Sequence, residues 1–454
     1  MDRAAARGRP LFLIALFVLS AAAFAQGPTA PPSAKDEAIP SLRDADVIVL
    51  RHARVIDGTG APAKENQTLI IEGGKIRVVE NDDTVKVPQN AHTLDMSGKS
   101  VLPGFVMLHE HLMFTEPIGL THAVDFSFPR LYLAFGVTTL RTAGTDFPQM
   151  ELNLKRRIDA GLMPGPEIFV TSPYFSGEGD PFLGAMIIKT PEEARRAVRF
   201  WAGEGFTWFK AYQWVRKDVL AALINEAHQL GVRVTAHLRS VSCREAAEMG
   251  IDNIEHGCFA FTDKLEDDLN GPRTEDLVRM LVEKGVVLTA TPTNGRKPLS
   301  DFALEMLDPS ARELISSEMA RLKSPPPPIA GAYSHLLTAF VKAGGRLVLG
   351  SDAGGGGTVL AGTGDDEAIE NLAGMGFPPL QVIRIATLDG ARFLGVESRT
   401  GSIAAGKEAD LLIVRGNPDE HISDIENVEM VFSNGIPYDP KTLIAKVKGE
   451  VGWR

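Results

Sequence analysis

Residues Gly104 to Leu112 read GFVMLHEHL, an apolar run that ends in two histidines separated by one residue. Side chains two residues apart along a β-strand point to the same face, so His109 and His111 would share a face while Glu110 points away. This geometry suits a metal chelate, although a pair of packed histidines fits the same short pattern. The stretch predicts a buried strand with polar chemistry at its carboxyl end.

Seven more apolar runs follow and alternate with segments that carry apolar residues at helical spacing. In chain order the eight runs are VLPGFVML, GVTTLRT, PEIFVTS, FTWFKAY, VRVTAHL, IDNIEHG, VVLTATP and RLVLGSD. Eight strand–helix units are the number that closes a parallel barrel. We predict an α/β fold with a (β/α)8 TIM barrel over residues 99–399. A doubly wound open sheet is the competing architecture, but it gives no reason for this count.

Short runs of alternating apolar and polar residues flank the predicted barrel on both sides. They occupy residues 44–98 and 400–445 and are broken by turn-forming residues, with Asn434-Gly435 as a two-residue hairpin turn. Since neither segment is long enough to build a core alone, we expect both to form one small composite β-sandwich domain.

Residues 290–345 are longer than an ordinary loop of a barrel and include the run Pro325 to Pro328. We expect a helical insertion over the barrel mouth with a stiff polyproline turn. The insertion would act as a lid over the site or as a packing decoration, and the sequence does not separate these two roles.

The first 25 residues have the parts of a secretory signal peptide: a start with three arginines, an apolar run from Leu11 to Leu19 and the site Ala23-Phe24-Ala25. We expect a periplasmic or secreted protein without a stable membrane anchor, an uncleaved N-terminal anchor being the alternative. Residues 26–43, rich in Pro, Ala and Ser, are expected to be a linker. The formal net charge of −11 and the lack of a basic stripe argue against nucleic-acid binding.

Four other runs also end in polar residues that could join the histidine pair. His237 and His256 end the fifth and sixth runs, and Lys210 lies near the end of the fourth. Asp352 ends the eighth, which adjoins the first strand in a closed barrel, and a metal ion would compensate its buried charge. The alternatives are a turn aspartate at position 352 and a lysine whose stem packs in the barrel while its head meets a carboxylate.

Together these motifs resemble the amidohydrolase superfamily, in particular its imidazolonepropionase-like and Xaa-Pro dipeptidase-like members. The resemblance rests on PGFVMLHEH, the FK and AH pairs, IEHG, GSDA and the trailing GSIAAGKEADLLIV, and it covers about residues 45–445. It implies two divalent metal ions, for which zinc is expected from the ligand types. The implied ligands are His109, His111, Lys210, His237, His256 and Asp352.

The resemblance also implies how this centre would work. Lys210 would be carboxylated at Nζ and bridge the two ions, and a metal-bridging hydroxide would attack the scissile carbonyl. Asp352 would act as the general base that takes the proton of the water and passes it to the leaving amine.

The residues that follow the strands are expected to set specificity. Arg239 beside the aromatic side chains of Tyr174 and Tyr212 would suit a substrate with a free carboxylate, such as a dipeptide or an N-acyl amino acid. The alternatives are cyclic amide, lactone or deaminase-type hydrolysis at the same centre and, from another class, a metal-free binding or scaffold protein. A homo-oligomer is compatible with the fold.

Cys243 and Cys258 are the two cysteines of the chain. An oxidising compartment would permit a disulfide between them, and Cys258 follows His256 closely enough for a ligand role to be conceivable. We expect Cys258 to be a small buried apolar residue instead.

Overall fold

The structure, a computed structural model, describes residues 33–116, 119–258, 271–293, 299–321, 330–355 and 358–452. The expected signal peptide (1–25) and the proline run at 325–328 lie outside these residues, and both stay predictions. Within residues 33–452, none of the described helices combines the length and the apolar composition that a bilayer crossing requires.

Five strands come before the barrel, and they follow the alternating segments of the sequence. They are β1 (Val47–Val55), β2 (Lys64–Glu72), β3 (Lys75–Asn81), β4 (His92–Asp95) and β5 (Lys99–Pro103). β1, β2 and β3 pair antiparallel in succession, and β4 and β5 both pair parallel with β1.

The strands of the central part are mostly short and parallel. They are β6 (Phe105–Glu110), β7 (Met113–Thr115), β8 (Thr121–Ala123), β9 (Val137–Thr142), β10 (Glu167–Phe169), β11 (Thr171–Ser176), β12 (Met186–Ile187), β13 (Trp208–Ala211), β14 (Arg233–Ala236), β15 (Asn253–Ile254), β16 (Val287–Ala290) and β17 (Leu347–Leu349). β7 and β8 form a small hairpin after β6.

Eight strand positions close into the predicted barrel. Two runs of parallel strands make up the ring, first β6, β9 and β10 and then β11, β13, β14, β15, β16 and β17. β10 and β11 lie on either side of Val170 and together form the third strand position of the barrel. The ring closes where the amide of Asp352 donates to the carbonyl of His109 at 2.9 Å. The eight apolar runs and the (β/α)8 fold are thus confirmed.

Helices connect these strands, and several begin with the signals that the sequence carries. α3, for example, has Thr190 as its N-cap, whose hydroxyl accepts from the amide of Glu193, and Pro191 in its first turn. The helices are α1 (Ser127–Ala134), α2 (Pro148–Asp159), α3 (Pro191–Glu204), α4 (Lys217–Gln229), α5 (Cys243–Glu248), α6 (Pro272–Glu283), α7 (Asp301–Met306), α8 (Pro309–Arg321), α9 (Ala330–Lys342), α10 (Thr363–Gly374), α11 (Pro379–Arg384) and α12 (Gly390–Leu394).

The chain then returns to the first sheet through β18 (Leu411–Arg415), β19 (Val428–Ser433), β20 (Ile436–Tyr438) and α13 (Pro440–Val447). β18 pairs antiparallel with β5, so one eight-stranded sheet holds strands from both ends of the chain, in the order β20-β19-β18-β5-β1-β2-β3 with β4 beside β1. Asn434 and Gly435 both have positive φ between β19 and β20, as the predicted hairpin turn requires.

The apolar side chains on the two faces of these strands pack into two different hydrophobic cores. Leu411 and Ile413 of β18 pack into a cluster within the sheet domain, whereas Leu412 and Val414 of the same strand pack into the barrel core. Because successive side chains of a strand point to opposite faces, a single strand can stabilise both bodies.

Two predicted boundaries were wrong. β5 pairs with β1 and β18, so the barrel begins after Pro103 and not at residue 99. The linker expected through residue 43 ends before Ser33, because Glu37 forms an ion pair with Arg130 at 2.7 Å and Leu42 is buried in the sheet cluster.

The insertion predicted over residues 290–345 was too long. Ala290 is the last residue of β16, and α9 leads directly into β17 in the place of an ordinary barrel helix. The additional helices are α7 and α8, and Leu307 between them pairs with Val451 near the C-terminus. Whether this segment acts as a lid stays a prediction.

Cys243 and Cys258 are joined by a disulfide, with their Cα atoms 5.8 Å apart. The sequence left this disulfide open, and the side chain of Cys258 is buried as expected. The bond ties the start of α5 to the segment that follows His256, and it removes Cys258 from the candidate metal ligands.

Candidate metal centre

Three predicted ligands meet where β6 and β17 end. Nε2 of His109 and Nε2 of His111 lie 3.3 and 3.0 Å from Oδ1 of Asp352. One donor atom from each of the three residues falls within 4.8 Å of the other two. We call His109, His111 and Asp352 the inner cluster.

The backbone at the end of β17 is shaped to bring Asp352 to the histidines. Asp352 has a φ of 56°, a conformation that a residue with a side chain adopts only when its surroundings impose it. Gly350 allows the close approach, because a Cβ at this position would come within 2.5 Å of the His109 side chain. Oε1 of Glu110, on the opposite face from the histidines as predicted, accepts the amide of Ser351 at 2.7 Å.

Glu110 forms a buried polar link behind the inner cluster. Its Oε2 accepts from the hydroxyl of Ser351, and the Tyr132 hydroxyl lies 3.2 Å from the same oxygen and 3.0 Å from the carbonyl of His111. Burial raises the pKa of Glu110 well above its usual value, and the nearby Asp365 adds to this effect. These contacts connect the ends of the first and eighth strands.

Glu255 determines which nitrogen of His109 faces Asp352. Its Oε2 lies 2.7 Å from Nδ1 of His109, and its Oε1 accepts from Arg141 at 2.6 Å. Burial opposes ionisation of Glu255, but the charges of Arg141, His109 and Lys210 outweigh it and hold the pKa well below the usual value. An ionised Glu255 accepts a hydrogen bond from the Nδ1–H of His109, so Nε2 is the nitrogen available to a metal ion.

His111 also directs its Nε2 toward Asp352. Its Nδ1 lies 3.3 Å from the carbonyl of Gly144 and 3.2 Å from the hydroxyl of Tyr174. A carbonyl only accepts, so Nδ1 carries the proton and Nε2 is left to face Asp352. Tyr174, predicted as a substrate-binding residue, contacts the metal centre itself.

The other two predicted histidines form a second group, which we call the outer pair. Nδ1 of His237 and Nε2 of His256 lie 2.9 Å apart at the ends of β14 and β15. Nδ1 of His256 lies 2.8 Å from the hydroxyl of Thr291, whose amide donates to the hydroxyl oxygen of Tyr333 at 3.0 Å. Burial lowers the pKa of His237 to about 4, which keeps this imidazole neutral, as metal binding requires.

Lys210 lies at the end of β13 and is buried. Its Nζ is 3.8 Å from Oε1 of Glu255. Its charge adds to the burial that lowers the pKa of His237, and it opposes the charges of Glu255 and Asp352 that raise the pKa of His109. Lys210 therefore lies within electrostatic reach of the inner cluster and of the outer pair. Burial lowers the pKa of Lys210 to about 8, so roughly a tenth of this amine is uncharged at pH 7 and about half at pH 8.

Three aromatic rings stand beside this centre, and we call Tyr174, Phe182 and Tyr212 the aromatic wall. Their ring centroids lie 5.1 to 5.6 Å apart, and the ring of Tyr212 is 5.1 Å from that of His237. Arg239 lies farther out, exposed, with its guanidinium over the Trp214 ring at 5.0 Å. The structure thus places Tyr212 beside the ligands and Arg239 at the rim.

Three residues of the site were missed in the sequence: Glu255, Arg141 and Thr291. Glu255 precedes His256 directly, and Thr291 follows the last residue of β16, so both stand at strand ends where ligand partners are found. Arg141 is fully buried at the end of β9, and a charged residue in so apolar a run was the available signal.

The donors fit divalent ions of the zinc type. Imidazole nitrogens and a carboxylate are ligands that zinc accepts, and His109, His111 and His256 each have Nδ1 engaged by a neighbouring group. Catalytic sites of (β/α)8 barrels lie at the carboxyl ends of the strands, where these residues stand. Fold and site together define the class: a barrel enzyme with a metal-binding centre.

The chain belongs to the amidohydrolase family, because residues 100–436 match that family's model. An uncharacterized protein of Mycobacterium tuberculosis is 26% identical over 423 residues, covering 88% of this chain and 99% of that one. The enamidase of Eubacterium barkeri is 24% identical over 380 residues, with 81% and 86% covered. The crystal structure of a proposed prolidase from Bifidobacterium longum superposes with a TM-score of 0.68 at 27% identity, over 89% of this chain and 99% of that chain.

These findings confirm the resemblance that the motifs indicated. The chain is a hydrolase of the amidohydrolase family, a family that acts on small substrates and is typically metal-dependent. The alternative of a metal-free scaffold protein is disfavoured, because the family, the fold and the set of donor atoms all indicate a hydrolase.

Proposed function

We propose that this amidohydrolase cleaves the amide bond of a small substrate, either a dipeptide or an N-acyl amino acid. In this proposal His109, His111, Asp352, His237, His256 and a carboxylated Lys210 hold two divalent ions, with zinc as the expected metal. The relatives named enamidase and prolidase support amide chemistry for this chain.

One observation carries the proposal. The imidazoles of His109 and His111 direct Nε2 at the same oxygen of Asp352, while Glu255 and Gly144 engage the opposite nitrogens. A neutral imidazole that donates from Nδ1 presents only a lone pair to Asp352, and two such rings around one carboxylate oxygen are stabilised by a cation between them. A divalent ion requires this arrangement of lone pairs.

Lys210 suits the bridging role for a chemical reason. An uncharged amine adds to carbon dioxide and forms a carbamate, and the lowered pKa of Lys210, about 8, supplies the uncharged amine. The carbamate would replace a cation by an anion between the inner cluster and the outer pair. This change of charge favours the binding of cations on both sides.

In the proposed reaction the metal ions and Asp352 have separate roles. When bound, two divalent ions supply a water of lowered pKa and polarise the scissile carbonyl. Asp352 takes the proton from the attacking water: burial opposes its ionisation, but His109 and His111 hold the pKa of this carboxyl well below the usual value. The proton then passes from Asp352 to the leaving amine.

Arg239 is proposed to bind the carboxylate of the substrate. Its guanidinium stacks on Trp214 and donates to Gln213 at 3.1 Å, and no described carboxylate forms an ion pair with it. Two N–H groups of the fork can therefore meet a carboxylate that the substrate brings. The aromatic wall between Arg239 and the metal centre would pack against an apolar side chain.

The test is a panel of dipeptides, N-acyl amino acids and their C-terminal carboxamides. We expect the enzyme to hydrolyse the compounds with a free carboxylate. In Arg239→Ala the KM for these compounds should rise about tenfold, because one charge-assisted hydrogen bond to the substrate is lost. Arg216→Ala is the matched control, since this exposed arginine pairs with Asp218 instead. Equal KM values for acids and carboxamides in the wild-type enzyme would contradict the role of Arg239.

We further propose that the protein is exported to the periplasm or the medium. The disulfide between Cys243 and Cys258 supports this location, because such bonds persist in oxidising compartments. Fractionation of producing cells should recover the chain outside the cytoplasm and shortened at its N-terminus. Recovery of the full-length chain in the cytoplasm would contradict export.

A further inference from the structure

Asp146 lies between β9 and α2, at the end of the barrel that carries the metal centre. Two residues before it, the carbonyl of Gly144 contacts His111. Gly184, in the loop between β11 and β12, packs on the Asp146 carboxylate so closely that a Cβ there would lie 2.1 Å from Oδ1. The same loop carries Phe182, so Asp146 stands beside the aromatic wall.

One oxygen of the Asp146 carboxylate has no hydrogen-bond partner among the described residues. This oxygen, Oδ1, is buried. Thr121 and His111 are the neighbours that favour its ionisation, but burial outweighs them and raises the pKa of this carboxyl. A carboxylate oxygen without a donor is costly, and the Asp146 side chain as a whole is only partly buried. A donor that arrives with the substrate can therefore reach this carboxylate.

We propose that Asp146 binds the free ammonium group of the substrate, so that the enzyme prefers dipeptides with a free amino terminus to N-acyl amino acids. This inference rests on the proposed function, which leaves both substrate classes open. An ammonium group supplies the missing donors and charge, and the faces of aromatic rings attract cations as well. Arg239 at the rim would receive the opposite end of a zwitterionic dipeptide.

Asp180 lies in the same loop as Gly184 and differs from Asp146 in that both of its carboxylate oxygens accept hydrogen bonds. The hydroxyl of Ser176 donates to its Oδ2 at 2.5 Å, and the amide of Phe182 donates to its Oδ1 at 2.9 Å. Both oxygens of Asp180 are occupied by the protein, so its carboxylate orders the loop. Asp180→Asn is therefore the matched control for Asp146→Asn.

The test uses two compounds that differ only in the ammonium group: Leu-Phe and 4-methylpentanoyl-Phe, its desamino analogue. With the metal-loaded full-length enzyme we expect kcat/KM to favour Leu-Phe about ten- to a hundredfold, as for one charge-assisted contact. Asp146→Asn should bring this ratio close to one, whereas Asp180→Asn should keep the wild-type ratio. Equal turnover of both compounds by wild type, or an unchanged ratio in Asp146→Asn, would overturn the ammonium site while leaving the amidase function intact.

A binding measurement keeps the two proposals separate. If wild type hydrolyses neither compound, the amidase proposal fails, and calorimetry with the ketomethylene analogues of the same pair decides about Asp146. Tighter binding of the analogue with the amino group, lost in Asp146→Asn, supports the ammonium site. Equal affinities for the two analogues overturn it.

Discussion

The inner cluster and the outer pair use the same ligand chemistry but are supported differently. His109 in the inner cluster is 2% exposed and its Nδ1 meets the ionised Glu255, which Arg141 holds. The His256 side chain in the outer pair is 21% exposed, and its Nδ1 meets the neutral hydroxyl of Thr291. A charged, buried partner fixes a ring more firmly than a hydroxyl that can rotate. We therefore expect the ion of the outer pair to leave first.

The largest effect should come from Asp352, which belongs to the inner cluster and is also the proposed general base. Asp352→Asn removes the proton acceptor, so kcat should fall by about a hundred- to ten-thousandfold. The asparagine oxygen can still act as a ligand, so metal content should change much less than turnover. Steady-state kinetics together with elemental analysis measures both, and a kcat within threefold of wild type would exclude Asp352 as the base.

Glu255→Gln tests the charged support of the inner cluster. The glutamine keeps the shape but not the charge, so His109 loses its ionised partner, and zinc affinity should fall about ten- to a hundredfold. Glu226→Gln is the matched control, because Glu226 is also buried and pairs with an arginine, Arg199, but lies on α4 and has no hydrogen bond or ion pair with the proposed ligands among the described residues. Competition with a chelator gives the affinities. Equal losses in the two variants would show that any buried glutamate matters and would contradict a specific link through His109.

In the proposed centre Lys210 joins the two groups as a carbamate, and the formation of this carbamate should depend on pH. The uncharged amine is the reactive form, and with a pKa of about 8 its fraction rises as pH increases through that value. At a fixed concentration of dissolved carbon dioxide, metal-depleted enzyme supplied with zinc should regain activity about tenfold faster at pH 9 than at pH 7. A rate of reactivation that is independent of pH over this interval would argue against a carbamate at Lys210.

The smallest effect should come from the support of the outer pair. Thr291→Val removes the hydroxyl beside His256. The affinity for the outer ion should fall by roughly three- to tenfold, which is the contribution of one neutral hydrogen bond. Thr338→Val is the control, since that hydroxyl bonds to carbonyls of its own helix. Zinc release monitored with a coloured chelator separates the two variants. An outer ion held as tightly in Thr291→Val as in Thr338→Val would remove the distinction between the two groups.

The fold and the meeting of the proposed ligand residues could be predicted because their signals are local. Each apolar run shows its period within a few residues, and a histidine at the end of a run is visible without knowing its neighbours. Closure of a barrel then places all strand ends on one side, which is why His109 and Asp352 could be related across the chain.

The partners of the ligands could not be predicted, because they depend on which strands face one another. Arg141 and Glu255 are 114 residues apart in sequence and meet only inside the barrel. The boundary at Pro103 was missed because β5 and β6 follow each other as one continuous apolar run, and only the pairing of β5 with β1 and β18 distinguishes them. A period within one strand carries no information about its partner strand.

The most direct test of the two-ion centre is the zinc content of the purified chain, measured by elemental analysis for wild type and for Lys210→Ala. We expect about two zinc ions per wild-type chain and about one or fewer in the variant, because the bridging ligand is lost. A wild-type chain that holds no metal, even after incubation with zinc and bicarbonate, would contradict the centre proposed for these six residues.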